Sequence, residues 1–186
     1  EKLLPTRAAA VDAYAVYDCT AEKHLGGYSA FECDLSRTTA RVYALLARPL
    51  GRPAPTATQQ VAAGGDLVVR VEFLDAAGER LRAVLPFALT VLRPDGKVHQ
   101  EFYRATDQEG EFSMAVPVPA NVPAGEWAVV VRSQLDGATA RLPVRVQAAE
   151  AGAFADALGE KVLVRDREAL EAALARGAEL VLPLFD

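Results

Sequence analysis

Two cysteines, two histidines and a single tryptophan are the residues of this chain best equipped for chemistry, and their spacing supports little of it. Cys19 and Cys33 are the pair that a secreted domain would join in a disulfide. If "TAEK" turns a hairpin, Cys33 falls opposite about residue 9, and about ten residues of strand at ~3.3 Å each hold the sulfurs beyond bridging distance. A longer loop through "HLGG" would shift that register and bring them together, so the register favours free thiols and leaves pairing open. A metal would need more ligands than His24 nearby. His24 and His99 lack a Ser, Cys or carboxylate at catalytic spacing and read as solvated residues on a turn and a strand face. Asp75, Asp95, Asp107 and Asp136 each precede a different turn, where a short carboxylate caps backbone N–H groups, and they form no compact Ca²⁺ loop. No glycine arrangement matches a phosphate cradle. The sequence therefore assigns no catalytic, cofactor-binding or metal-binding residue, and no cofactor is expected.

Trp127 could stack on a sugar, but it is in phase with Val129 and Val131 and reads as core. Tyr14, Tyr17, Tyr28 and Tyr43 crowd the first fifty residues, where an aromatic surface and a seam with a neighbouring sheet remain alternatives.

The elements that would position these residues are mainly β-strands. Leu67, Val69, Val71 and Phe73 alternate with polar neighbours. Phe87, Leu89 and Val91 do so too, as do Phe112, Met114 and Val116, then Trp127, Val129 and Val131, then Leu142, Val144 and Val146. Glycines 78, 96, 110, 125 and 137 stand at the reversals between these runs, where a positive φ is needed. The fold expectation is an Ig-like antiparallel β-sandwich of about seven strands over 56–147, with Phe112, Met114 and Leu142 in its core. Before it, residues 1–48 read as a three-stranded β-meander whose apolar face needs a partner sheet, with Ala40, Val42, Ala44 and Leu46 on one face of its last strand. Pro49, Pro53 and Pro55 mark 49–55 as a linker.

Residues 148–186 change character. A short helix ends at Gly159, "KVLV" reads as a strand, a helix runs from its cap Asp166 to Gly177, and "ELVLPLF" is a second strand. This β-α-β unit favours parallel pairing and reads as the start of an α/β domain. Its strand at 179–185 needs a cover, either the N-terminal strands or, by self-association, a second copy. Asp166 and Asp186 stand where an open α/β sheet would bind a ligand, but neither has a partner in the sequence.

A net charge of −5, from 25 acids and 20 bases without like-charge blocks, argues against nucleic acid as a partner. No apolar run is long enough to span a bilayer. Arg outnumbers Lys 16 to 4, which suggests a GC-rich bacterial source, and a start without Met or a targeting segment suggests a piece of a longer polypeptide.

The runs "AAGGDLVVRVEFLDAAGE", "LTVLRPDGK" and "ATDQEGEFSMAVPVPANVPAGEWAVVV" make residues 56–147 similar to macroglobulin-type and bacterial Ig-like domains. That resemblance implies a non-catalytic spacer or interaction module of a larger multidomain protein outside the cytoplasm, with neighbouring domains or another protein as its partners. "VYD", "LG" and the strand at 41–46 resemble the C-terminal β-domain of glycoside hydrolases. The alternative it implies is an accessory region of a carbohydrate-active or other hydrolase whose catalytic domain precedes Glu1.

Overall fold

The computed structural model describes residues 6–33, 40–149, 161–163 and 179–181, and every element among them is a β-strand. The first three, β1 (Thr6–Asp18), β2 (Lys23–Cys33) and β3 (Tyr43–Leu46), form an antiparallel sheet in the order β2-β1-β3. The expected meander is thus corrected, because β3 returns to the far edge of β1 instead of pairing with β2. Ala15 and Tyr17 point to one face and Val16 and Asp18 to the other, yet all four are buried, as only a central strand permits. Cys33 lies opposite Thr6, beyond the expected residue 9, because the β1–β2 ladder shifts register between Ala9 and Tyr14.

Eight strands build the sandwich. One sheet has the order β4-β6-β9, from β4 (Leu50–Ala57), β6 (Asp66–Asp75) and β9 (Glu111–Pro117). The other has the order β5-β11-β10-β7-β8, from β5 (Gln60–Ala62), β7 (Pro86–Leu92), β8 (Val98–Ala105), β10 (Gly125–Ser133) and β11 (Thr139–Gln147). The chain changes sheets between β4 and β5, and β5 pairs in parallel with β11, so the one strand expected at 56–61 is divided between the two layers. The connections β6–β7, β8–β9 and β9–β10 cross between layers, and β7–β8 and β10–β11 are hairpins, which is the immunoglobulin-like arrangement.

The linker expected at 49–55 is corrected as well, since β4 occupies most of it. Pro53 opposes Phe73 and Pro55 opposes Val71, while the N–H of Thr58 donates to Val68 O at 3.0 Å. The even-numbered amides therefore face β6 and the two prolines stand where an N–H would point away from it. On an edge strand their missing donors remove no ladder bond.

Between the sheets lie Leu67, Val69, Val71 and Phe73 of β6, Phe87, Leu89 and Val91 of β7, Trp127, Val129 and Val131 of β10, and Val144 and Val146 of β11, all buried. The Phe87 ring joins the layers, tilted against Phe73 at 5.9 Å and edge-on to Phe112 at 5.2 Å. Phe112, Met114 and Leu142 are only half-buried. Strand β9 is a sheet edge, and β5 covers β11 only at 145–147, so these inward side chains keep one flank towards solvent.

The last two strands, β12 (Lys161–Leu163) and β13 (Glu179–Val181), pair in parallel. Both helices expected in the tail, Asp166 and Asp186, and residues 182–185 of the expected last strand lie outside the described residues. No described helix is long and apolar enough to cross a membrane.

Candidate functional site

The small sheet and the sandwich meet along a seam built by residues distant in sequence. Ala15, Tyr17 and Leu46 belong to the same hydrophobic cluster as Phe73, Phe87 and Leu135, so the face that required a partner sheet is closed by the sandwich itself. The Tyr17 hydroxyl accepts the N–H of Leu50 at 2.7 Å, and burial pushes its phenol pKa up. On the back of Tyr17 the His24 ring stacks at 4.6 Å; the residue is exposed as expected, but it lies on β2 and not on a turn.

Two polar clamps flank this contact. Arg132 of β10 donates two hydrogen bonds to the Glu22 carboxylate, one of them at 2.8 Å, so the β1–β2 turn is held against the outer end of the sandwich. Arg48, between β3 and β4, donates to Asp75 and Glu79 at 2.6 Å each and to Arg80 O at 3.0 Å. Asp75 is buried, and its second oxygen accepts the N–H groups of Ala77 and Glu79 at 2.9 Å, so one carboxylate shapes its own turn and holds the incoming chain. Asp18 acts likewise, accepting from Thr20 and Ala21 and from Arg41 at 2.8 Å. Side-chain length and charge alone do not disclose these partners, so sequence reasoning missed Glu22, Arg41, Arg48 and Arg132.

The other aspartates are turn formers, as their positions suggested. Asp95 accepts the Lys97 N–H at 3.1 Å, Asp107 that of Glu111 at 2.9 Å, and Asp136 that of Ala138 at 3.1 Å. The Lys97 amide holds the Asp95 carboxyl below the usual range. Among the described residues no group of three or more His, Cys, Asp and Glu side chains is placed to hold a metal ion.

Cys19 and Cys33 are free thiols, Cys19 partly exposed and Cys33 buried. Burial raises the Cys19 pKa, and the Asp18 carboxylate adds to it, so the Cys19 environment disfavours a reactive thiolate. Tyr17 belongs to the seam, whereas Tyr28 is 43% exposed and Tyr43 meets Phe31 edge-on at 4.9 Å. Tyr17 is therefore not part of an aromatic surface with Tyr28, which pairs across the strands with Tyr14. Trp127 is 1% exposed and its Nε1 donates to Pro123 O at 3.0 Å, which removes it as a sugar platform.

His99 departs from the expectation of a solvated strand face. Gln100 pairs with Val91 and Val98 with Leu92, which leaves His99 as the extra residue of a β-bulge. The bulge turns the ring onto the edge of Trp127, with centroids 4.9 Å apart, and sets Nδ1 at 3.4 Å from Arg93 Nη2. Burial, and then the Arg93 charge, lower its pKa.

Two open grooves lie on the surface of the described residues. One of about 850 Å³ runs along β11 and carries Glu126 and Arg145, which are cross-strand neighbours. The other, of about 660 Å³, carries Glu72 and Glu111, both paired with Arg80. Neither is lined by a His or Cys, and in the second groove Glu72 and Glu111 are paired with Arg80 while Asp107 accepts the Glu111 N–H.

No protein-family model matches the chain, and no curated protein sequence is similar to it. Its structure is similar to that of trypsin-activated alpha-2-macroglobulin from Escherichia coli, at 16% identity and a TM-score of 0.46, over 74% of this chain and 11% of that one. A Salmonella alpha-2-macroglobulin mutant gives 14% identity and a TM-score of 0.44, over 77% of this chain and 15% of that one. Superoxide reductase (neelaredoxin) from Ignicoccus hospitalis gives 17% identity and a TM-score of 0.36, over 53% of this chain and 82% of that one. The chain thus spans only a small part of the length of these macroglobulins. The immunoglobulin-like assignment rests on the strand order of this chain.

Proposed function

We propose that this chain is a non-catalytic Ig-like module that spaces or docks parts of a larger bacterial protein outside the cytoplasm. The seam carries the reading. A spacer must fix the direction in which the chain continues, and here a shared apolar core, the Tyr17–Leu50 hydrogen bond and the clamps at Arg48 and Arg132 all join the small sheet to the sandwich. Buried contact of this kind resists relative motion in a way that a loose linker does not. Glu22, Arg48, Arg132 and the Tyr17 hydroxyl are all engaged in holding the seam, and Glu72 and Glu111 in one groove are paired with Arg80.

Residual dipolar couplings measured separately for the two units test the reading. One common alignment tensor is expected for the unmodified chain, and a second should appear when Tyr17→Phe, Arg48→Ala and Arg132→Ala are combined. Two independent tensors in the unmodified chain would overturn the rigid-spacer reading. A rise of several degrees in melting temperature with a sugar, metal ion or nucleotide would replace it with ligand binding.

A further inference from the structure

We propose that His99 is an acid-sensitive latch: held neutral between Trp127 and Arg93, it releases the 93–100 end of the β7–β8 hairpin from β10 when it takes up a second proton. The geometry sets the protonation state. Nδ1 faces a guanidinium, which can only donate, so Nδ1 is the acceptor and the neutral ring carries its proton on Nε2. A second proton must then go on Nδ1, directly towards Arg93, and turns an acceptor–donor contact into two opposed cations. Nε2 is itself buried without a hydrogen-bond partner, as are Arg93 Nε and the neighbouring Gln100 Oε1, so no hydrogen bond holds the ring on the side away from Arg93.

The surrounding charges leave this balance in place. On the 93–97 turn, Asp95 is exposed and bound to Lys97, and it acts on Arg93 from the solvent side. From β10 the ring meets Trp127, which is uncharged, while the adjacent Glu126 is exposed opposite Arg145. Within β8, Glu101 bonds Thr90 at the surface. The lowered His99 pKa, caused by burial and then by Arg93, agrees with the contact geometry.

This end of the hairpin is held by few ladder bonds. Past the bulge the ladder keeps the single pair Leu92–Val98, Val98 is exposed, and the turn is closed by Arg93 N–H to Lys97 O at 2.9 Å and Gly96 N–H to Arg93 O at 2.9 Å. Local opening there leaves the β6, β7 and β10 core untouched.

The lone tryptophan and the two histidines make the test direct. Trp127 emission and the imidazole Cε1–H signals are followed from pH 7.5 to 5.0, with His24→Gln assigning the spectra. Amide exchange, corrected for the intrinsic rate, is compared at pH 7.5 and 5.5. Expected are a Trp127 transition and a His99 midpoint both below the ordinary ~6.5, and about a tenfold loss of protection at 98–100 with β6 unchanged. His99→Gln should abolish the transition and Arg93→Gln should move it to higher pH. The latch is overturned if His99 titrates at or above ~6.5, if His99→Gln keeps the transition, or if β6 opens together with 98–100. Should His99→Gln fail to fold at pH 7.5, the titration and exchange of the unmodified chain still decide.

Discussion

The Tyr17 hydroxyl, in the central strand of the small sheet, accepts the main-chain N–H of Leu50, the first residue of the sandwich, at 2.7 Å. Tyr17 is 1% exposed, so water cannot replace the bond. Tyr17→Phe leaves the ring in place and strands the Leu50 amide, and it should cost about 1–3 kcal/mol. Urea denaturation checks this, with a loss well below that range showing that the seam is open to water.

Trp127→Ala removes the largest buried side chain of the core. The expected loss is about 3–5 kcal/mol, from lost transfer energy and the cavity left behind. A loss under about 1 kcal/mol would place the ring at the surface and restore the idea of a sugar platform.

Gly96 and Gly110 have nearly the same positive φ, 79° and 78°, in different surroundings. A Cβ at Gly96 meets no atom within 4 Å, whereas one at Gly110 collides with the Leu81 carbonyl oxygen. Gly96→Ala should therefore cost only the left-handed strain of about 1–2 kcal/mol, and Gly110→Ala should exceed about 3 kcal/mol. Equal losses in thermal unfolding would contradict the close packing of the 107–110 turn on Leu81.

Stability should fall on mild acidification through His99. Its pKa is lowered in the folded chain, so below the unfolded value of ~6.5 the unfolded chain binds the proton more readily. The contribution is complete above that value and is lost as the pH drops towards the folded one. The urea midpoint measured from pH 7.5 to 5.5 should decline more steeply for the unmodified chain than for His99→Gln, and identical slopes would contradict the prediction.

Both cysteines should count as thiols in denaturant without reductant. In the folded chain Cys19 should react slowly with a disulfide reagent, because its raised pKa keeps thiolate scarce, and Cys33 should react only on unfolding. Two silent thiols in denaturant would reveal a disulfide.

The sequence alone determined which faces of most strands turn inward and where the chain reverses. Leu67 to Phe73 and Trp127 to Val131 alternate as the core requires, and the expected glycines 78, 96, 110, 125 and 137 all have positive φ. These properties depend on a residue and its nearest neighbours, so they can be read locally. The tertiary structure decided which strands are neighbours. Nothing near Tyr17 announces that β1 is central, nothing in Pro53 and Pro55 distinguishes an edge strand from a linker, and the partner of Glu22 lies 110 residues away. His99 makes the point on the scale of one residue, because a single bulge reverses the face that alternation would assign. Pairing and register are chosen by burying whole faces at once, and that energy belongs to the assembled sheets.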